Sequence, residues 1–159
     1  MRISTRGQYG LRAMCRLVVL QRAGDGAPVS LRDIAEKENI SSQYLEQLFR
    51  GLRGAGLVES VRGAKGGYTL ARPPEDISVA DILRAVEGPI APVECVGSDC
   101  VDECCERKDY CMTREAWVRL RDSMVETLDS INLADLCKPA ELSGRPGELG
   151  GKGESGARE

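Results

Sequence analysis

Seven cysteines and not one histidine occur in 159 residues, and five of the seven (Cys95, Cys100, Cys104, Cys105 and Cys111) fall within seventeen positions. Thiolates concentrated in this way either ligate a soft metal centre or cycle between thiol and disulfide. A disulfide framework needs an oxidising compartment, and nothing in the chain signals export, so thiolate ligation of a metal is the expectation. Cys15 and Cys137 stand apart and read as packing residues, because an isolated thiol behaves as a small apolar group.

A second chemistry is suggested by charge. The net charge of -3 is unevenly spread: residues 1–72 carry 12 Lys/Arg against 6 Asp/Glu, and residues 73–159 carry 10 against 19. A basic half joined to an acidic half points to a phosphate-binding module fused to a part with another task. An enzyme is not expected. There is no histidine and no nucleophile paired with a base, and the Gly-rich GAKGG run is not followed by a helix, so it lacks the context of a nucleotide site. No apolar run approaches the roughly 18 residues of a membrane span. The start, Met1 to Ser4, lacks the apolar stretch of a signal peptide. The expectation is therefore a cytoplasmic protein without membrane association.

These residues need elements to hold them. Tyr9, Met14, Leu17, Val18 and Leu20 line one face of a first helix from Thr5 to about Gln21. Ser30 followed by Asp33 reads as a capping box for a short helix ending near Asn39, and Ser41 caps another whose Leu45, Leu48, Phe49 and Leu52 form a buried stripe. Two short helices joined by a tight turn make a helix-turn-helix. Leu57 to Val61 and Tyr68 to Leu70 read as strands around the basic turn from Arg62 to Gly67, a hairpin in the position of a wing. With the stripe turned inward, Ser42, Gln43, Glu46, Gln47, Arg50 and Arg53 remain outside. Ser42, Gln43, Glu46 and Gln47 lie in the turns that usually meet base edges. Glu46 suits a cytosine amino group and Gln47 an adenine, whereas Ser41, Arg62 and Lys65 suit phosphate or the minor groove.

Beyond Pro73 and Pro74, Ser78 and Asp81 form another capping box for a helix that stops at Gly88 and Pro89. After the cysteine segment, Trp117, Leu120, Met124, Leu128 and Ile131 form a seam on one long helix from Thr113 to about Leu136, and a seam of that kind wants a partner helix. The stretch 143–159 is Gly and charge with almost no apolar residues, the composition of a disordered tail. The fold class expected is mainly α with a small β-hairpin, a winged helix-turn-helix plus a long C-terminal dimerisation helix. Its parts are 1–74 (DNA-binding), 75–94 (connecting helix), 95–111 (cysteine loop), 112–137 (dimerisation helix) and 138–159 (tail).

The opening MRISTRGQYGLRAM, the run ISSQYLEQLFRGLRGAGLVES and the wing VRGAKGGYTLARP closely resemble the Rrf2 family of bacterial transcription regulators. The likeness continues through SVADILRAVEG and REAW to about residue 137. The resemblance implies a homodimer whose long helices cross and whose two winged helices read a pseudo-palindromic duplex. It also implies that Glu46, Gln47 and Arg62 occupy DNA-contacting positions. In the cluster-binding members three cysteines are separated by five residues each. Here Cys105 and Cys111 keep that gap, while Cys95 lies further upstream and Cys100 and Cys104 are additional. The resemblance thus implies an iron-sulfur cluster on Cys95, Cys105 and Cys111, with Cys100 or Cys104 as fourth thiolate and a two-iron two-sulfur cluster preferred to a four-iron four-sulfur one. Cys100 is favoured over Cys104 because Cys104 and Cys105 are adjacent and point apart in extended backbone. A histidine ligand of some members corresponds here to Arg114, which cannot ligate, and an aspartate ligand of others corresponds to Gln8. Zinc, a thiol switch, or control by a partner protein are the alternatives.

Overall fold

The computed structural model describes residues 3–100, 105–107 and 109–138. The expected tail from 143 onward, and Cys104, lie outside these residues.

Helix α1 (Thr5–Ala23) begins at Ser4, whose hydroxyl accepts from the Arg6 and Gly7 backbone N–H groups. It buries Gly7, Gly10, Ala13, Met14, Leu17 and Val18 along one stripe. Ser30 and Ser41 cap α2 (Leu31–Glu38) and α3 (Ser42–Gly54) as expected, by accepting from Asp33 N–H at 3.1 Å and Tyr44 N–H at 3.2 Å. Between the two, Asn39 adopts a left-handed conformation that ends α2, so the turn is tight enough to set α3 across α1 and α2. Leu45, Leu48, Phe49 and Leu52 of α3 are 0–1% exposed. Removing side chains of that size from water stabilises a fold by roughly 1.5–3 kcal/mol each.

Strands β1 (Val58–Val61) and β2 (Gly67–Leu70) pair antiparallel with Val61 opposite Gly67. A third segment joins them: Val29 exchanges both backbone hydrogen bonds with Tyr68, at 2.8 and 2.9 Å. The wing is therefore anchored to the chain that enters α2, and Tyr68 lies edge-on to Phe49 at 4.8 Å between ring centroids.

Helix α4 (Val79–Glu87) carries the full Ser78/Asp81 capping box and ends at Gly88. It lies close against α1 and α3 because glycines face it. A Cβ on Gly10 would sit 3.2 Å from the Val86 side chain, and one on Gly51 would sit 2.7 Å from the Ala85 carbonyl oxygen.

The single long helix expected from Thr113 to Leu136 is two. Helix α5 (Arg114–Asp129) is followed by α6 (Leu133–Leu136). Asn132 is extended and caps α6 by accepting from Asp135 N–H at 2.8 Å. Val79 N–H donates to the Ile131 carbonyl and Leu133 N–H to the Ile77 carbonyl, so pairing with the start of α4 replaces helical hydrogen bonds. Leu133 then enters the core at 0% exposure. Helix α5 itself buries no residue in the single chain, and Trp117 and Leu120 of its seam are 37% and 39% exposed. No helix among the described residues is long and apolar enough to cross a membrane.

Candidate nucleic-acid interface and thiolate loop

Every residue singled out for DNA contact is exposed: Ser41, Ser42, Gln43, Glu46, Gln47 and Arg50 on the outer side of α3, and Arg62 and Lys65 on the wing turn. The platform beneath is fixed by the buried stripe, so the outer face is set by helical geometry. No acidic residue occupies the first turn of α3. The partial positive charge of its N-terminus is left for an anion, next to the Ser41 and Ser42 hydroxyls.

Ion pairing sorts the cations. Arg12 and Arg16 both bind Glu38, at 3.0 and 2.6 Å, and so tie α1 to the end of α2. Arg72 pairs with Asp81 at 3.6 Å. Arg50, Arg62 and Lys65 form no ion pair with a described residue, which leaves them available for phosphate. The wing turn closes through Gly63, at φ +114°, and a Gly66 N–H bond to the Gly63 carbonyl at 2.9 Å. A side chain at position 63 would be strained there.

The loop is strapped to α5 rather than packed. Cys95 lies half-buried in a short 3-10 turn, Glu94–Val96, whose Val96 is buried. Arg121 of α5 donates to the Val96 carbonyl at 2.9 Å. At the other end, Cys111 immediately precedes α5. Its sulfur contacts the Thr113 hydroxyl at 3.4 Å, and Arg114 N–H donates to its carbonyl at 3.2 Å. Thr113, through its hydroxyl and then its N–H, holds the Cys111 thiol below the usual range. Cys95, Cys105 and Cys111 are free thiols, all half-buried, whereas the Cys100 sulfur is engaged in a disulfide.

The donor types suit a thiolate-ligated metal centre, and an orphan donor accompanies them: Arg114 Nε is buried without a hydrogen-bond partner at the position that follows Cys111 by three. The described residues nonetheless do not gather three Cys, Asp or Glu side chains into a ligand set. Gln8 donates to the Ile3 carbonyl at 3.0 Å. Sequence reasoning treated Cys15 and Cys137 as separate packing residues. The structure brings them together, a proximity across 122 positions that no local pattern could signal.

Comparison with known proteins agrees with this architecture. The Rrf2 family, described as an iron-dependent transcriptional regulator, matches residues 3–139. The HTH-type transcriptional regulator CymR of Bacillus subtilis (strain 168) is 46% identical over 136 residues, covering 86% of this chain and 89% of that one. Its structure, "The Structure of CymR (YrzC) the Global Cysteine Regulator of B. subtilis", superposes with a TM-score of 0.67 at 47% identity, over 86% of this chain and 96% of that one. The T. potens IscR structure superposes with a TM-score of 0.69 at 44% identity, over 92% and 93% of the two chains. The relatives are regulators and not enzymes, so the helix-turn-helix, the wing and the match over nearly the whole described chain lead to one assignment: this protein belongs to the Rrf2 family of DNA-binding transcriptional regulators.

Proposed function

We propose that this chain is a homodimeric, operator-binding regulator whose DNA affinity is controlled by an iron-sulfur cluster on the loop from Cys95 to Cys111. The observation that carries the reading is the trio of free, half-buried thiols Cys95, Cys105 and Cys111 on a loop strapped at both ends to α5. Residues 1–74 form the reading head. Glu46 and Gln47 meet base edges, Ser42 and Gln43 flank them, and Ser41, Arg50, Arg62 and Lys65 hold phosphates. The seam of exposed Trp117 and Leu120 with half-buried Met124 and Leu128 joins two copies, so that two heads face a pseudo-palindromic duplex.

Cys95, Cys105 and Cys111 would hold the cluster, with Cys100, once reduced, or Cys104 as the fourth thiolate. Bound there, the cluster supplies a redox-sensitive and iron-dependent anchor for the loop. The chain's own contribution is mechanical. Arg121 links the Cys95 turn to α5, which carries the seam, and Arg84 links α5 to α4 through Asp129, which ties the loop to the winged helix. A change in loop order biases the placement of the two heads.

The test is anaerobic purification with visible absorbance, iron and sulfide analysis, and fluorescence anisotropy on a duplex recovered by in-vitro selection. Brown protein with stoichiometric iron and sulfide, and an operator affinity changed by replacing Cys95, Cys105 and Cys111 with Ala, supports the reading. Colourless protein whose affinity is unchanged by the triple replacement sinks it. That second outcome favours a regulator of the same fold controlled by zinc, a thiol switch or a partner protein. Similarity to a protein described as a global cysteine regulator, and the lack of a gathered ligand set among the described residues, support that alternative.

A further inference from the structure

Cys15 lies on the flank of α1, and Cys137 ends α6. The Cys137 Sγ donates to the Cys15 carbonyl oxygen at 3.7 Å, which sets the two cysteines side by side. Both open on one surface cavity of about 360 Å³, walled also by Leu11, Arg16, Glu38 and Leu136. Arg22 Nη1 donates to the Cys137 carbonyl at 2.6 Å and fixes this end of the chain against α1. A disulfide requires the two sulfurs to approach to roughly 2.05 Å. Cys137 is the C-cap residue of the four-residue α6, so closing that distance involves one short helical turn.

We propose that Cys15 and Cys137 form a dithiol-disulfide modification site, separate from the loop, that is oxidised by a small hydroperoxide. The two thiols are unequal in a way that assigns their roles. The neighbouring Cys15 thiol, and the Arg22 guanidinium that lies at the Cys137 carbonyl, bring the Cys137 thiol below the usual range. The Cys137 sulfur, then burial and the Glu38 carboxylate, push the Cys15 thiol above the usual range. The cation held at the Cys137 carbonyl and the Glu38 carboxylate in the cavity that Cys15 shares make Cys137 the attacking thiolate and Cys15 the resolving thiol.

In the first step the Cys137 sulfur bonds to one peroxide oxygen, the O–O bond breaks, and hydroxide leaves. Cys137 is then a sulfenic acid. In the second, the Cys15 sulfur attacks the Cys137 sulfur, the S–S bond forms, and the displaced hydroxide leaves with the Cys15 proton as water. Two electrons have passed from the sulfur pair to the peroxide. Because Cys137 is only 2% exposed, the oxidant must be small enough to enter the cavity. The bond would staple the end of α6 to α1, which grips α2 through Arg12 and Arg16 on Glu38. It is a second input to the helix-turn-helix, independent of the loop.

The experiment uses the full chain with Cys95, Cys100, Cys104, Cys105 and Cys111 replaced by Ser, so the outcome does not depend on whether the loop holds a cluster. One equivalent of hydrogen peroxide should remove both remaining thiols together, and dithiothreitol should restore them. A digest should contain a Cys15–Cys137 cross-linked peptide, and the melting temperature should rise by roughly 5 °C because a long loop is closed. Adding Cys15→Ser should leave Cys137 trapped by dimedone as its sulfenic acid. Thiols that survive excess peroxide, or over-oxidation of Cys137 without a cross-link, overturn the proposal. If the fivefold variant does not fold, peptide mapping of the peroxide-treated natural chain decides. The cross-linked peptide supports the site, and alkylated Cys15 and Cys137 recovered in full overturn it.

Discussion

The recognition helix and the cysteine loop are both surface segments rich in polar side chains, yet they are built in opposite ways. Helix α3 presents its outer residues on a stripe of four side chains that are 0–1% exposed, capped at one end and tied to the wing through the Phe49–Tyr68 contact. The loop has Val96 as its buried anchor among the described residues, an Arg121 strap, and donors that do not converge. The outer face of α3 is thus preorganised, with its conformational entropy lost when the chain folds. In the proposed reading the loop is the input, and gathering it around a ligand, an oxidant or a partner costs entropy that α3 has already lost.

The sharpest way to break this comparison is to remove one anchor from each side. Phe49→Ala deletes the largest fully buried side chain and should cost roughly 3–5 kcal/mol, a large part of the stability of a domain this size. Urea unfolding followed by far-UV circular dichroism measures it. Val96→Ala should cost about 1–2 kcal/mol in the same assay and raise the rate of loop-thiol alkylation much more than it lowers the unfolding midpoint. If the two variants lose equal stability, the loop is part of the core and the contrast is wrong.

On the DNA side, two kinds of contact should separate. Gln47→Ala and Glu46→Ala are each expected to cost roughly 1–3 kcal/mol on the selected operator, with little change on unrelated duplex. Arg62→Ala should weaken binding on every sequence and reduce the salt slope by about 1. Anisotropy titrations at several salt concentrations distinguish the two. An Arg62→Ala variant with altered base preference would move the wing from phosphate to base readout.

The division between legible and illegible parts follows from sequence separation. The caps at Ser30, Ser41 and Ser78 and the α3 stripe are local, because each depends on residues three or four apart, and all stand where the spacing placed them. The break at Ser130–Asn132 was hidden because Ile131 continues the apolar spacing of α5. What ends the helix is pairing of Ile131 and Asn132 with the chain around Ser78, more than fifty positions away. The same holds for Val29 against Tyr68, for Gly51 against Ala85, and for Cys15 against Cys137. At the loop, composition points to thiolate chemistry, while closure around a ligand is a property of three-dimensional placement that spacing does not carry.

The smallest expected effect lies at the junction of the two regions. Arg84 of α4 clasps the Asp129 carboxylate at the end of α5 with two hydrogen bonds, at 2.9 and 3.0 Å, and Ser78 adds a third contact at 3.4 Å. The Arg84 bonds hold the Asp129 carboxyl below its usual range. A carboxylate depressed in the folded state contributes its stability in full above the ordinary value of about 4, and loses it as pH falls through the lower native value. Both side chains are more than 40% exposed, so solvent screening limits the contribution to about 0.5–1 kcal/mol. Asp129→Asn should therefore lower the urea midpoint slightly at pH 7, and the variant and natural proteins should converge towards pH 3. A difference that persists at low pH would mean that the junction is held by hydrogen-bond geometry and not by charge. The link between loop and head would then be insensitive to ionic strength, whereas an ionic link should weaken as salt rises.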